Sequence, residues 1–281
     1  MLNKSIKSPV NISVSKIHPF EGNPYKVLDN DEMNTLICSI QEQGILTPII
    51  IRPIESTDEY EVISGHRRLH ATVKAGMKEV PAFIYAVTRD EAAIMLVDSN
   101  LHREHILPSE KAFAYKLKLE AMKHQGITCG QVGHKSRDEI SDTDSGRQIQ
   151  RYIRLTYLIP ELLDLVDEEK IALTPAVELS YLTDEEQYAL LGSIEVEDRT
   201  PSLSQAVRFK KLSQTGNLSD DDIETIMQED KANQKPMFKV SMEKLQEIAP
   251  RVKDKDFEDF VLKACEHYYR YLLRQRDRDS R

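Results

Sequence analysis

The sequence has no long run of apolar residues. Its opening segment, residues 1–5, is too polar to begin a secretion signal, and no later stretch approaches the roughly 20 apolar residues that cross a bilayer. With 40% hydrophobic and 30% charged residues, the 281-residue chain has the composition of a folded protein rather than a disordered one. We therefore expect a cytoplasmic protein that does not enter a membrane.

Cysteine is also scarce, which argues against two kinds of structural site. The three cysteines, Cys38, Cys129 and Cys265, are far apart and include no Cys-x-x-Cys pair. A disulfide framework or a structural zinc site would need more closely spaced cysteines. The histidines of the first half have no carboxylate or cysteine at ligand spacing, so a catalytic zinc ion is not expected either. The Walker motif of P-loop ATPases and the nucleophile elbow of hydrolases are both missing.

Basic residues do not predominate. The 38 Lys and Arg residues are outnumbered by 47 Asp and Glu residues, which gives a net charge of -9. Because phosphate contacts come from Lys and Arg, this total is unfavourable for a DNA-binding protein. A binding face needs only a local basic cluster, however, so the positions of the arginines matter more than their number.

The first third of the sequence alternates between helix and strand patterns. Asn30 or Asp31 is placed to cap the first helix, and Gly44 to end it. The predicted elements are a helix through 33–40, strands at 49–51 and 60–63, a helix over 67–75 and a strand over 80–87. This part is predicted to be a small α/β unit.

Strand patterns almost vanish after about residue 90. Asp90 is placed to cap a helix, Pro108 opens a longer one, and Thr183 begins a capping box. An apolar stripe on the last helix, from Phe257 to Tyr271, needs a partner surface and suggests a dimerisation or docking module. The predicted fold class is α+β, with an N-terminal α/β domain over 1–105, an all-helical domain over 106–228, a linker over 229–240 and a C-terminal helical module over 241–281.

The strongest local signal is Ser64-Gly65-His66-Arg67-Arg68, where a strand meets a helix at a glycine. A helix N-terminus presents unpaired backbone amides, and glycine lets a phosphate approach the chain. The two arginines add forked donors that suit phosphate oxygens. The pattern favours a triphosphate site, and a solvated basic helix start is the alternative.

We call the segment 64–68 the arginine box, and three further segments accompany it. They are 17–25 with Asn-Pro, 39–52 with the pattern Ser-Ile-x-x-x-Gly-Ile-x-x-Pro-Ile-Ile-Ile-Arg, and 100–104, Asn-Leu-His-Arg-Glu. In this order the four segments resemble the ParB family of partition proteins, and the resemblance extends over about residues 12–190. It implies a ParB-like N-terminal domain followed by a helix-turn-helix domain.

In the ParB family the arginine box and the box that corresponds to 100–104 here, the Asn box, together hold CTP and Mg²⁺. By position, the resemblance implies that the segment Ser64 to Arg68 contacts the phosphates and that Asn100 and Arg103 complete the site, with Asn100 as a Mg²⁺ ligand. Ser99 stands where the family commonly has a glutamate, and Asp98 is the neighbouring carboxylate that could replace it. We therefore expect nucleotide binding with slow or absent hydrolysis, and assign no catalytic residue.

A second basic cluster lies on a helix predicted near 145–158, which Asp144 or Ser145 is placed to cap. The candidate DNA-contacting residues are Ser145, Arg147, Gln148, Gln150, Arg151 and Arg154. Arg pairs with guanine and Gln with adenine in the major groove, so this composition suits a recognition helix. A solvated surface helix is the alternative, but the position after the ParB-like boxes favours DNA recognition. The first helix of the motif is expected near 128–132.

The resemblance implies a centromere-binding partition protein, which acts as a CTP-switched DNA clamp in the segregation of a chromosome, plasmid or mobile element. The implied partners are double-stranded DNA with a parS-like site, a ParA-type ATPase and a second copy in a homodimer on the nucleoid. A nucleoid-occlusion factor or transcriptional regulator of the same fold is the alternative. A nuclease or a sulfiredoxin-like enzyme is a third interpretation. Sulfiredoxin chemistry needs a cysteine beside the phosphate site, whereas Cys38 lies in the apolar-striped helix instead.

Overall fold

The computed structural model describes residues 8–103, 105–125, 144–229, 246, 248–249, 252 and 257–279. Its contacts divide the chain into two units, Met1–Glu229 and Asp230–Arg281. Within the described ranges, no helix is both long and apolar enough to cross a membrane.

The first unit contains a five-stranded mixed sheet. Its strands are β1 (Val10–Ser13), β2 (Ile17–His18), β3 (Ile49–Pro53), β4 (Tyr60–Ser64) and β5 (Glu79–Ile84). Their order is β1-β5-β3-β4-β2, with β3–β5 and β2–β4 parallel and the other two pairs antiparallel. The central β3 buries Ile49 and Ile51 completely, because both of its edges are paired and its side chains meet the core. The strands β1 and β2 were not predicted, since they have only four and two residues.

Three helices accompany the sheet: α1 (Asp31–Gln43), α2 (His66–Lys74) and α3 (Arg89–Asn100). The predicted cap of α1 is confirmed, because the Asn30 side chain accepts a hydrogen bond from the Met33 amide at 3.0 Å. The cap of α3 is Thr88 rather than Asp90. Its hydroxyl accepts from the Glu91 amide at 3.2 Å, and the Glu91 carboxylate accepts from the Thr88 amide at 2.8 Å.

Helix α1 packs on α2 through Met33, Ile40 and Ala71. Cys38 was expected to lie with this apolar stripe, but it is exposed. Successive helical residues are turned by about 100°, so Cys38 lies off the face that Met33 and Ile40 bury.

The rest of the first unit is helical. The helices are α4 (Pro108–His124), α5 (Gly146–Leu155), α6 (Pro160–Asp167), α7 (Leu173–Leu179), α8 (Asp184–Glu197), α9 (Leu203–Gln214) and α10 (Asp220–Gln228). The capping box at Thr183 is confirmed. Similar boxes start α9 at Ser202 and α10 at Ser219, and these would have indicated both helices from the sequence.

Helix α4 contributes to three cores, and its Ala112 packs with the helices that follow it. Ala114 and Ala121 pack with residues of α3 and β4, whereas Tyr115 and Met122 pack with Ile149 of α5. The helix that follows the predicted boundary at 105/106 is therefore shared by the α/β region and the helical region.

The described part of the second unit is mainly one long helix, α11 (Phe257–Asp279). Tyr268 and Tyr269 are more than 60% exposed, and the rings of Tyr268 and Tyr271 stack with centroids 6.2 Å apart. The helix predicted from Phe257 is confirmed.

The buried ion pair between Arg52 on β3 and Glu61 on β4 offers a test of the sheet. The Arg52 Nε lies 2.7 Å from Glu61 Oε2, and both side chains are less than 10% exposed. We expect Glu61→Gln to lower the free energy of unfolding by about 3 kcal/mol, because it leaves a buried guanidinium without its counter-charge. Urea unfolding would measure this, with Asp58→Asn in the exposed Lys16–Asp58 pair as control. A similar result for both variants would contradict the interpretation.

Candidate functional site

The arginine box begins at a turn that only glycine fits well. Gly65 has a φ of +104°, and a Cβ there would lie 2.8 Å from Ile49 Cγ2. Both features disfavour any side chain, since L-residues rarely adopt this φ and the contact is too short. The close approach of β3 to this turn therefore fixes where α2 begins. Ser64, the last residue of β4, lies opposite Ile50 of β3.

The N-terminus of α2 is open to an anion. No side chain caps the helix, and its first turn contains no acidic residue. Uncapped amides and the positive end of the helix dipole both favour negative charge. A phosphate group fits this end of the helix.

The two arginines of the box already have partners. The Arg67 Nη2 donates to Glu32 Oε2 of α1 at 3.0 Å, in a largely exposed pair. The Arg68 Nη1 donates to the carbonyl oxygens of Pro48, at 2.8 Å, and Thr47. Burial lowers the pKa of the Arg68 guanidinium. Arg68 thus stabilises the segment before β3. Arg67 is bound to the Glu32 carboxylate, which an anionic ligand could displace.

His66 lies with Arg103 and Tyr25. The Nε2 of His66 is buried and has no hydrogen-bond partner. Burial, together with the positive charge of Arg103, lowers the pKa of His66 to about 4. The Arg103 guanidinium lies over the Tyr25 ring at 5.6 Å from its centroid, and burial raises the pKa of the Tyr25 hydroxyl. The site therefore contains a neutral imidazole with one unused nitrogen beside a cation.

Asn100, at the end of α3, is buried. Its Nδ2 donates to the Leu96 carbonyl at 2.7 Å and to Ser99 Oγ at 3.3 Å. These bonds leave the carboxamide oxygen as the atom with the right chemistry for Mg²⁺. Asp98 forms an ion pair with Lys118 Nζ at 2.5 Å, so this carboxylate is already engaged with α4. In the described part of the chain, no three His, Cys, Asp or Glu residues cluster as metal ligands.

The structure brings only part of the predicted nucleotide site together. His66 is close enough to Arg103 for the two to interact electrostatically. The hydrogen bonds of Arg67 and Arg68 reach α1 and the segment before β3, and among the described residues none reaches Asn100. Glu32 was missed by the sequence analysis, because a partner 35 residues away leaves no local pattern.

The second basic cluster lies on α5. Ser145, not Asp144, caps this helix, since its Oγ accepts from the Gln148 amide at 3.3 Å. Asp144 instead accepts from the Tyr115 hydroxyl at 2.5 Å, which ties the start of α5 to α4. Ile149 is fully buried, whereas Tyr152 and Ile153 of the predicted stripe are partly buried. The predicted first helix near 128–132 lies outside the described residues.

The three arginines of α5 contact no carboxylate among the described residues. Arg147 is exposed, and Arg151 donates to Gln148 Oε1 at 3.3 Å and to Thr174 Oγ1 at 2.5 Å. Arg154 donates from Nε and Nη2 to the Oγ and carbonyl oxygen of Ser180, at 3.1 and 2.8 Å. Four arginines elsewhere do pair with acids, in the pairs Arg52–Glu61, Arg67–Glu32, Arg89–Glu21 and Arg208–Glu229. Gln150 is partly exposed on the same helix. Helix α5 therefore presents positive charge that no carboxylate in the described part of the chain neutralises.

A mixed sheet with an anion-accepting helix start, joined to a helical region with an arginine-bearing helix, defines a two-part ligand-binding protein. Residues 2–101 match the sequence profile of the ParB N-terminal domain.

Curated relatives extend the similarity beyond that domain. The chain is 32% identical to the chromosome-partitioning protein Spo0J of Thermus thermophilus over 171 residues, 61% of this chain and 59% of the relative. It is 31% identical to a probable chromosome-partitioning protein ParB of Coxiella burnetii over 157 residues, 56% of this chain and 50% of the relative. A nucleoid occlusion protein of Geobacillus sp. is 38% identical over 109 residues, 39% of this chain and 38% of the relative. The chain thus spans about half of these relatives' lengths.

Solved structures of C-terminally truncated ParB from Caulobacter crescentus are also similar. The complex with the centromeric parS site is 19% identical, with a TM-score of 0.42, and the match covers 78% of this chain and 98% of that one. The complex with CTP-gamma-S is 22% identical, with a TM-score of 0.33, and the match covers 67% and 99%.

The buried His66 predicts a specific pH dependence of stability. Its folded-state pKa of about 4 is lower than the usual 6.5, so the unfolded chain binds the proton more readily. The neutral His66 therefore contributes about 3 kcal/mol to the free energy of unfolding above pH 6.5, and this contribution is lost as the pH falls towards 4. His66→Gln is expected to lose less stability than the wild type over this range, as measured by urea unfolding. His105→Gln, at an exposed position, should behave as the wild type. Identical pH profiles for wild type and His66→Gln would contradict the prediction.

Proposed function

We propose that this chain is a sequence-specific DNA-binding partition protein that acts as a nucleotide-switched clamp on the nucleoid. One observation supports the DNA-binding part above all: the three arginines of α5 lack a carboxylate partner among the described residues, in a chain with a net charge of -9. A ParB N-terminal domain precedes this helix. Phosphate oxygens would supply the negative charge that these arginines lack among the described residues, and base edges would supply further acceptors.

The proposal assigns a role to each predicted segment. The N-terminal domain, 1–105, binds the nucleotide, the helical domain, 106–228, binds DNA, and the module at 241–281, beyond the linker 229–240, joins two copies of the chain. The partners proposed by family resemblance are duplex DNA with a parS-like site and a ParA-type ATPase in the cytoplasm.

The nucleotide is proposed to be CTP with Mg²⁺. The uncapped start of α2 and the unpartnered Nε2 of His66 suit a polyphosphate, with Arg103 as a nearby positive charge. Asn100 would hold Mg²⁺ through its carboxamide oxygen, together with phosphate oxygens. The ion would neutralise phosphate charge. With Asp98 bound to Lys118 and Ser99 beside it, the site has no free carboxylate next to Asn100 in sequence, which supports slow or absent hydrolysis.

Footprinting on genomic DNA, with and without CTP, tests the proposal. The wild type should protect discrete sites, and CTP should alter the extent of protection. Arg151→Ala is expected to weaken specific binding by about 1–3 kcal/mol while the fold stays intact, because a major-groove arginine contributes about this much discrimination. Arg208→Ala serves as control, because Arg208 of α9 is exposed and pairs with Glu229, the residue after α10. Unchanged site affinity in Arg151→Ala at physiological salt would contradict the role of α5.

Glu32 is expected to compete with phosphate for Arg67. Glu32→Gln should bind CTP about 1.4- to 5-fold more tightly, since an exposed ion pair of this kind is worth about 0.2–1 kcal/mol. Isothermal titration with CTP and Mg²⁺ would measure the change, and Glu42→Gln on the same helix is the matched control. Unchanged affinity in Glu32→Gln would show that the carboxylate does not compete. Failure of all four nucleotides to bind the wild type, with its DNA site present, would remove the nucleotide claim.

A nucleoid occlusion role is the second candidate, because relatives with that name match this chain as well. The two roles share a DNA-binding mechanism and differ in the partner. A neighbouring gene for a ParA-type ATPase would favour partition, and protected sites spread over the chromosome would favour occlusion.

A further inference from the structure

A stack of alternating cations and tyrosines lies beside the C-terminal end of α5. The Arg154 guanidinium carbon lies over two rings, 4.5 Å from the Tyr157 centroid and 3.9 Å from that of Tyr181. Lys210 of α9 lies 3.7 Å from the Tyr181 centroid, and Lys116 of α4 lies 5.8 Å from that of Tyr157. We call these five residues the cation–tyrosine stack. It joins elements from four parts of the helical region.

Arg154 is fixed in this stack. Its guanidinium lies over two aromatic rings, and Ser180 accepts hydrogen bonds from its Nε and Nη2. To reach base edges, an arginine must extend into the groove, and this side chain is instead held against the end of α7. Only its Nη1 has no hydrogen bond among the described residues. This geometry suits a fixed positive charge better than a base contact.

The two lysines of the stack differ in their electrostatic surroundings. Lys210 Nζ forms an ion pair with Glu178 at 2.8 Å, so its charge is matched. Lys116 has no carboxylate partner in the described part of the chain. Lys116 and Arg154 thus place two positive charges, both without a carboxylate partner among the described residues, near Tyr157, a residue that is 56% exposed.

We propose that Lys116, Arg154 and Tyr157 form a phosphate-binding surface for the DNA backbone, next to the bases that α5 contacts. The inference rests on the proposed function and assigns Arg154 to the backbone instead of the bases. Continuity supports it, because Arg154 belongs to α5 and lies one turn from Arg151 and two from Arg147. The tyrosine ring restricts both cations in advance, which lowers the entropy lost when a phosphate is bound.

The salt dependence of DNA binding tests this surface. Each phosphate contact adds about 0.9 to the magnitude of the slope of log K against log salt concentration. We expect Lys116→Ala to reduce that slope by about one and to weaken binding to cognate and scrambled duplexes by the same factor. The specificity ratio should stay unchanged, because backbone contacts carry no sequence information.

Matched variants make the result specific. Lys211→Ala, at an exposed position next to Lys210 on α9, should leave the slope at its wild-type value. Lys210→Ala should change it less than Lys116→Ala does, since Glu178 already neutralises this charge. Thermal unfolding of each variant would show that the fold is retained.

Two results would overturn the inference: an unchanged slope in Lys116→Ala, or a changed specificity ratio, which would indicate base contact. If Lys116→Ala behaves as the wild type while Arg151→Ala loses specificity, the phosphate surface is wrong and the proposed function stands. If the wild type itself protects no DNA site, the proposed function fails, and this inference with it.

Discussion

The packing of α4 is the constraint on which the first unit depends. One face of this helix completes the core beneath α3 and the sheet, and the other buries Tyr115 completely against α5. The Tyr115 hydroxyl then binds Asp144, directly before the cap of α5. Because interiors are close-packed, a shift of α4 cannot be absorbed on one side alone. The position of the arginine-bearing helix therefore follows from the position of α3, where the candidate nucleotide site ends.

The sequence predicted the elements whose signals are local. The Asn30 cap, the Gly44 stop, the Gly65 turn and the Thr183 capping box each occupy a few consecutive residues, and all four are present in the structure. The short edge strands β1 and β2 were missed because their pairing is set by distant strands. The four boxes indicated a ParB-like N-terminal domain, and residues 2–101 match the profile of that domain.

The candidate sites were predictable as residue sets but not as geometry. The partners that decide what each arginine can do are far away in sequence, namely Glu32 for Arg67, Thr174 for Arg151 and Ser180 for Arg154. A pattern of residue types cannot distinguish an arginine that is free from one that is held. The result is a contrast between the two basic clusters: Arg67 meets an internal carboxylate, whereas the arginines of α5 meet only neutral groups in the described part of the chain.

The excess of acidic residues affects how DNA encounters this protein. A protein with a net charge of -9 repels DNA, a polyanion, over much of its surface. The arginines of α5 create a local positive field that attracts it. Encounters in the wrong orientation are therefore short-lived, and collisions that bring the duplex to this face are favoured. Nonspecific binding to bulk DNA is weakened at the same time, because a small basic face neutralises few phosphates and releases few of the counterions condensed on the DNA. Acidity elsewhere on the molecule thus favours the orientation in which DNA meets the arginines of α5.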